Sequence, residues 1–388
     1  MVRKLVKIGG AFVQSKENFI KLLNLVNSDF YDNSLFVISS FGKSTQRLRE
    51  IAQNAMYSAD KSQALLDNMM KDIHSLSPCE VDLTDEFQQL SRIIKGIFIT
   101  KELTAKLLDR VLSFGEIIST KLIIENIQIA SLHYVPAEEL ILSDSNYNEA
   151  KPIYNASKSK TLEYMKNNLY NKYITQGFIA ADINANRTTM GFESSNLTAT
   201  LLADILNLGE VSIITDVFGL RNFDPKIADN SKLIHNISYN DAMILANYGL
   251  KQLYPQMIEI AAKQNIEITF RHFDNNTDIT TISSRNSDRT TMLILNSLEY
   301  NKTNPDFIYD DKNTVLHFSQ SGYKDSSSLI NQYILFNIDV VNALKFIIDN
   351  FDVHNIYIDT YSNNTLKIIS SNDSVSEINK LIHYINQI

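Results

Sequence analysis

Residues 34–45 read Ser34-Leu35-Phe36-Val37-Ile38-Ser39-Ser40-Phe41-Gly42-Lys43-Ser44-Thr45. The apolar run 35–38 does not alternate with polar residues, so both of its faces are expected to be covered. That suits a strand of a parallel sheet packed between helices. The run ends in hydroxyls, a glycine and a lysine. Ligands of open α/β sheets bind outside the carboxyl ends of strands, and these residue types suit an anion there. Gly42-Lys43-Ser44 resembles the end of a P-loop, but position 37, where that motif needs glycine, is Val37. A Walker A loop is therefore excluded. A helix capped by Ser44 or Thr45 is the plainer reading and is compatible with ligand binding.

Upstream, Leu5-Val6-Lys7-Ile8 meets Gly9-Gly10, a strand running into a tight turn. The chain holds only 11 glycines, so a pair of them implies a backbone need. Adjacent glycines let amide groups approach an anion, and Lys7 adds charge. A plain strand and turn is the alternative. A helix is predicted over 16–27, and helical spacing dominates 44–131. Leu65, Met69, Ile73 and Leu76 form one apolar stripe; Leu107, Val111, Phe114, Ile118 and Leu122 form another. Gly115-Glu116 interrupts the second. A mid-helix glycine costs about 1 kcal/mol relative to alanine, so a close approach is implied. Glu116 beside it could meet an ammonium group or could face solvent.

Short apolar runs return at 132–142, 177–180 and 211–214, with a helical stretch at Leu197–Leu208. The alternation predicts an α/β domain on a largely parallel central sheet flanked by helices. Asp274–Asp278 is polar and reads as a linker. Beyond it, Thr290–Leu295, His317–Ser319, Asn355–Thr360 and Leu366–Ser370 read as strands, and 338–350 and 374–387 as helices. The predicted domains are 1–274 and a smaller α+β domain over 275–388.

Other predicted strand ends carry similar residues. Thr188–Asn196 is rich in hydroxyls ahead of a helix, where it would cap that helix and bind an anion. Thr215-Asp216-Val217-Phe218-Gly219, Asp224-Pro225-Lys226 and Tyr248-Gly249-Leu250-Lys251 follow. Each alone is a loop with a solvated charge. Together they supply what a nucleoside triphosphate needs in the absence of a P-loop.

Composition narrows the classes. The chain has 388 residues, 44% hydrophobic and 21% charged, enough for a real core. A net charge of −8 argues against a nucleic-acid binder that neutralises phosphates. The single cysteine, Cys79, excludes a disulfide framework and a multi-cysteine metal site. No apolar run approaches the roughly 18 residues of a membrane span, and MVRKLVKIGG lacks the apolar core of a signal peptide. The cytoplasm is the expected compartment.

From about residue 3 to 285 the order of these segments resembles the aspartate kinase branch of the amino acid kinase family. The resemblance is carried by Val6–Gly10, Ser39–Thr45, Ser113–Ser119, Gly177-Phe178-Ile179, Thr188–Gly191, Ser195–Ala203, Thr215–Gly219, Asp224-Pro225-Lys226, Ile237-Ser238-Tyr239 and Tyr248–Lys251. It implies the amino acid kinase fold and ATP-dependent phosphorylation of the side-chain carboxylate of L-aspartate, with Mg²⁺ arriving on the nucleotide. It implies roles for single residues too. Lys7 and Asn196 would be catalytic. Thr45, Glu116, Phe192 and Ser195 would line the amino-acid site, with Glu116 on the substrate amino group. Lys7, Gly9, Gly10, Thr215, Asp216, Arg221, Lys226, Lys251 and Gln252 would bind ATP. The tail is similar to ACT modules, which implies a lysine or threonine effector and a homodimer.

The substrate loop departs from the family pattern Gly-Arg-Gly-Gly-Ser-Asp. It reads Gly191-Phe192-Glu193-Ser194-Ser195-Asn196. Phe192 cannot make the bidentate bonds of an arginine to a carboxylate. Arg187 and Arg221 are candidates for the missing cation. A catalytically weak regulatory protein and a kinase for another carboxylate are the alternative readings.

Overall fold

The computed structural model describes residues 2–127, 132–191, 194–223, 230–250, 252–288, 292–298, 307–311, 314–318, 330–336, 338–351, 356–362, 365–370 and 374–387. Contacts divide the chain into two units. The first holds 1–220, 235–247 and 251–287; the second holds 221–234, 248–250 and 288–388.

The chain opens with β1 (Lys4–Ile8), α1 (Lys16–Asn27) and β2 (Ser34–Ile38). Helices α2 (Ser44–Ala55), α3 (Ala59–Leu76), α4 (Thr84–Thr100) and α5 (Ala105–Asn126) follow. Next come β3 (Leu132–Tyr134), α6 (Tyr154–Asn167), β4 (Lys172–Gln176), the hairpin β5 (Ile179–Ala181) and β6 (Arg187–Thr189), α7 (Ser195–Ile205) and β7 (Glu210–Thr215). Short β8 (Leu220–Arg221), β9 (Leu233–Ile234) and β10 (Asn236–Ser238) lead to α8 (Tyr239–Asn247), α9 (Pro255–Gln264), β11 (Glu267–His272) and β12 (Asn275–Ser283).

The main sheet has eight strands in the order β10-β12-β11-β7-β1-β2-β4-β3. β11 and β12 pair antiparallel; the other neighbours are parallel. All five residues of β2 are buried, as its unbroken apolar run requires. Phe19 and Leu22 of α1, Leu48 and Ile51 of α2 and Leu90 and Ile94 of α4 join Ile8, Phe36 and Ile38 in one core. Burying each such side chain contributes about 1.5–3 kcal/mol.

Three local expectations change. The run 132–142 forms a strand only over Leu132–Tyr134, because Pro136 has no N–H for a ladder and leads into a tight turn at Ala137–Glu139. The polar stretch at 274–278 is not a linker throughout. Asn275 already begins β12, whose Thr280, Thr281 and Ile282 pair with β11. Ser44 and Thr45 do not cap α2. Its start is a left-handed turn at Gly42 and Lys43, with φ of 57° and 59°, and the Ser44 hydroxyl donates to the Phe41 carbonyl instead. By contrast α1, α3 and α5 have ordinary serine or threonine caps at Ser15, Ser58 and Thr104.

The second unit is α+β. It contains β13 (Met292–Leu298), β14 (Phe307–Asp311), β15 (Thr314–Phe318), β16 (Ile330–Phe336), α10 (Val340–Asn350), β17 (Ile356–Ser362), β18 (Thr365–Ser370) and α11 (Ser374–Gln387). Its four-stranded sheet, in the order β13-β16-β18-β17, is antiparallel throughout. Tyr333, Leu335, Ala343, Ile347, Leu366, Ile368 and Leu381 form its core, with Phe223 among them.

Candidate active site

The parallel register levels the carboxyl ends of the central strands. Ile8 of β1 faces Ile38 of β2 and Ile214 of β7, and Ile38 faces Gln176 of β4. Backbone bonds continue past the strands. Gly9 donates to the Ile214 carbonyl at 2.8 Å, Ser39 to Ile8 at 3.1 Å and Gly177 to Ile38 at 2.8 Å. Lys7 is buried at 7% exposure near this edge, and its Nζ is 3.7 Å from the point a Gly9 Cβ would occupy.

Ser40 is the centre of the first cluster. A Cβ on Gly10 would lie 1.6 Å from its carbonyl oxygen, and one on Gly115 would lie 2.9 Å from its Cβ. The two glycines thus let the β1 turn and helix α5 close on Ser40 from two directions. Its amide donates to Glu116 Oε1 at 3.2 Å, and its hydroxyl shares a hydrogen with Thr45 Oγ1 at 2.7 Å. Phe41 donates to Ser119 Oγ at 2.9 Å, and Ser119 to the Gly115 carbonyl at 2.7 Å.

Glu116 is therefore not a solvent residue. It is 3% exposed, and its Oε2 is buried without a hydrogen-bond partner among the described residues. Burial pushes its carboxyl up to about 8, against the opposing pull of the Ser40 amide and the Lys7 charge. An ammonium group placed at Oε2 would supply the missing partner and favour the ionised form.

The second cluster lies at the start of α7. A Cβ on Gly177 would lie 2.5 Å from Ser195 Cβ, so the β4 end and the helix touch through that glycine. The N-cap position is Ser194, but its side chain makes no cap, contrary to the capping expected of this stretch. Ser194 Oγ and Asn196 Oδ1 are buried without partners among the described residues. Asn196 Nδ2 donates to the Gln252 carbonyl at 2.9 Å. A buried hydroxyl without a partner at a helix amino terminus makes this an anion-receptive corner.

Three comparisons bear on this arrangement. Residues 2–272 match the Amino acid kinase family. The chain belongs to the amino acid kinase family. It is 28% identical over 295 residues to the bifunctional aspartokinase/homoserine dehydrogenase of Buchnera aphidicola, covering 72% of this chain and 36% of that protein. It is 26% identical to the chloroplastic aspartokinase 2 of Arabidopsis thaliana, covering 73% of this chain and 54% of that one. It thus spans about a third to a half of these two relatives. The crystal structure of E. coli aspartokinase III in complex with aspartate and ADP superposes with a TM-score of 0.76 at 19% identity, over 99% of both chains. The fold is therefore the amino acid kinase fold.

Within this family member, the first unit brings Lys7, Gly9, Gly10, Thr45 and Glu116 to the strand-end edge. Ser195 and Asn196 stand at the α7 terminus. Thr215 Oγ1 donates to Asp216 Oδ1 at 3.1 Å at the end of β7. Phe192, Lys226 and Lys251 lie outside the described residues. Of the two candidate cations, Arg187 is engaged elsewhere: Nε donates to Glu138 Oε1 at 2.6 Å and Nη1 to Ser113 Oγ at 3.3 Å. Arg221 belongs to the second unit and donates to the Ser231 carbonyl there.

Some residues escape a reading of the sequence. Ser119 anchors the Phe41 amide, and its signal was a hydroxyl one turn after Glu116 on α5. Phe218 stacks on His272 with centroids 3.8 Å apart, beside the end of β7, and nothing in either local sequence announces it. Among the described residues no group of His, Cys, Asp or Glu is arranged to hold a metal ion, and no helix is long and apolar enough to cross a membrane.

Proposed function

We propose that the chain catalyses ATP-dependent phosphorylation of the side-chain carboxylate of L-aspartate to 4-phospho-L-aspartate, a reaction that feeds lysine, threonine and methionine synthesis. The observation that carries this reading is Glu116, a buried carboxylate with one oxygen open, held by the Ser40 amide within the field of Lys7. A buried acid aimed into a strand-end edge suits the ammonium of an amino acid. A lysine and paired glycines at the same edge suit a phosphoryl group.

The substrate carboxylate is ionised near pH 7, so no general base is needed. One of its oxygens attacks the γ-phosphorus, the bond to the β,γ-bridging oxygen breaks, and ADP leaves with that electron pair. Lys7 and the Gly10 amide balance charge on the transferring group, while Gly9, whose amide is held by the Ile214 carbonyl, lets the backbone approach. Ser195 and the α7 terminus face the anionic substrate, and Asn196 holds the Gln252 backbone beside them. Thr215, Asp216, Arg221, Lys226, Lys251 and Gln252 are the proposed nucleotide contacts. Mg²⁺ would be held by phosphate oxygens and water, as is usual for this ion.

The second unit is proposed as an effector-binding, dimerising ACT-like module. Heat released on adding lysine or threonine at millimolar concentration is the expected sign, and its absence for both removes the effector proposal. The main test is ADP release with Mg·ATP against a panel of amino acids, trapping acyl phosphate with hydroxylamine. Aspartate-dependent hydroxamate is expected. Tight ATP binding with no turnover on any amino acid would replace this reading with that of a regulatory protein.

A further inference from the structure

Asp109 is a fully buried carboxylate to which the proposed chemistry gives no task. It lies on α5, on the buried face opposite the Leu107–Val111 stripe, and its surroundings are specific. The Asn148 amide donates to both of its oxygens at 3.0 Å. The Thr189 amide donates to Oδ2 at 2.9 Å, and Thr189 Oγ1 to Oδ1 at 2.5 Å. Burial raises its carboxyl above the ordinary range, while these bonds and the charge of Arg49 pull it back.

The donors it collects belong to the approach to the α7 corner. Thr189 is the last residue of β6, and Met190 and Gly191 follow it. Its carbonyl accepts from Ala150 at 3.0 Å, and the Asn148 carbonyl lies 3.7 Å from the missing Cβ of Gly191. The other end of the β5–β6 hairpin is fixed separately, by Asp182 accepting from the amides of Asn184 and Asn186 at 2.9 and 2.8 Å and from Tyr147 OH at 2.9 Å. Asp109 thus holds the end of the hairpin nearest the active site.

Glu116 sits two helical turns further along α5, on the same face and about 10 Å away by helix rise. One rigid helix therefore carries the acid proposed for the substrate ammonium and the acid that holds the strand leading to Ser195. The geometry points to Asp109 as a positioning residue that sets the span between Glu116 and the α7 terminus, and so the length of amino acid that fits. This inference rests on the amino-acid reading of the site given above. A carboxylate is needed because the three donors converge on two oxygens, and an asparagine would aim its own N–H groups at some of them.

The test uses Asp109→Asn and the milder Thr189→Val in the full chain. Three quantities are read: hydrogen exchange of the 188–196 peptide without ligands, ADP affinity, and kcat/KM for aspartate and glutamate. The expected result is loss of protection in that peptide, ADP affinity changed by less than about twofold, aspartate KM raised about tenfold, and aspartate-over-glutamate selectivity reduced about fivefold or more. Thr189→Val should show the same pattern at smaller size, which separates positioning from failure to fold. Unchanged exchange in both variants, or unchanged selectivity in variants that have lost protection, overturns the inference. A wild-type chain that uses neither amino acid sinks the proposed function instead, and the exchange arm then still decides if Asp109 holds the strand.

Discussion

The two clusters at the strand-end edge spend their polar groups differently. Around Ser40 nearly every group is committed: its amide to Glu116, its hydroxyl to Thr45, the next amide to Ser119. At the α7 corner Ser194 Oγ and Asn196 Oδ1 are buried with no protein partner among the described residues. Leaving a buried acceptor unsatisfied costs about 1–3 kcal/mol. The first cluster is built for its own sake and offers one open atom, Glu116 Oε2. The second tolerates a deficit that a ligand can remove. The difference separates a rigid reference surface from a receptive one.

The comparison breaks most visibly at Lys7. Lys7→Ala should reduce phosphoryl transfer by about 10³-fold, the scale of losing a fixed electrostatic stabiliser, while the melting temperature moves little. Single-turnover rates with Mg·ATP check this, and unchanged transfer would place the phosphates elsewhere. Gly10→Ala attacks the rigid cluster itself. A methyl at 1.6 Å from the Ser40 carbonyl cannot be accommodated by a side-chain movement, so a loss of about 3 kcal/mol is expected in denaturant unfolding.

Glu116→Gln sharpens the contrast through pH. The carboxyl stands at about 8 in the folded protein against an ordinary value of 4.5. The folded state therefore holds the proton more tightly than the unfolded chain. Its contribution to stability is complete below 4.5 and is lost as pH rises towards about 8. Glutamine does not titrate, so the variant should gain on the wild type across that window in thermal unfolding. It should also raise aspartate KM about 30-fold, since a hydrogen bond to a charged group contributes about 1.5–3 kcal/mol. In the wild type, calorimetry near pH 7 in buffers of differing ionisation heat should register proton release when the amino acid binds.

The smallest expected effect is at Asn196. An aspartate there cannot donate to the Gln252 carbonyl, which now accepts from Nδ2 at 2.9 Å. Asn196→Asp should therefore cost about 1–2 kcal/mol of stability and lower turnover several-fold. Higher turnover instead would mean that the asparagine is a loss rather than an adaptation.

Much of the fold was legible because its signals are local. The unbroken apolar run of β2 demanded cover on both faces, and the helix expected at 16–27 is α1. The glycine pair was informative because the chain is otherwise poor in glycine, and Gly10 does remove a backbone clash. What escaped depends on distant neighbours. The state of Glu116 is set by its burial, with the opposing bond coming from Ser40, 76 positions away in the chain. Asp109 and Thr189 are 80 positions apart. Asp109 shares the Glu116 face of α5, opposite the Leu107–Val111 stripe, so the apolar periodicity marks neither acid as buried. β12 was misread because its polar composition reads as a turn, and pairing with β11 overrides that preference.

The backbone bonds that level the strand ends also set an order of events in folding. Ser39 reaches Ile8 early, Gly177 reaches Ile38 only after α2–α6 have been made, and Gly9 must wait for Ile214. Contacts between such remote parts of a chain close loops at high entropic cost and form slowly. The turn at Gly9 and Gly10 is among the first pieces synthesised and among the last to be fixed. Catalytic competence should therefore appear late in refolding, after most helical signal has returned, and should mark completion of the sheet.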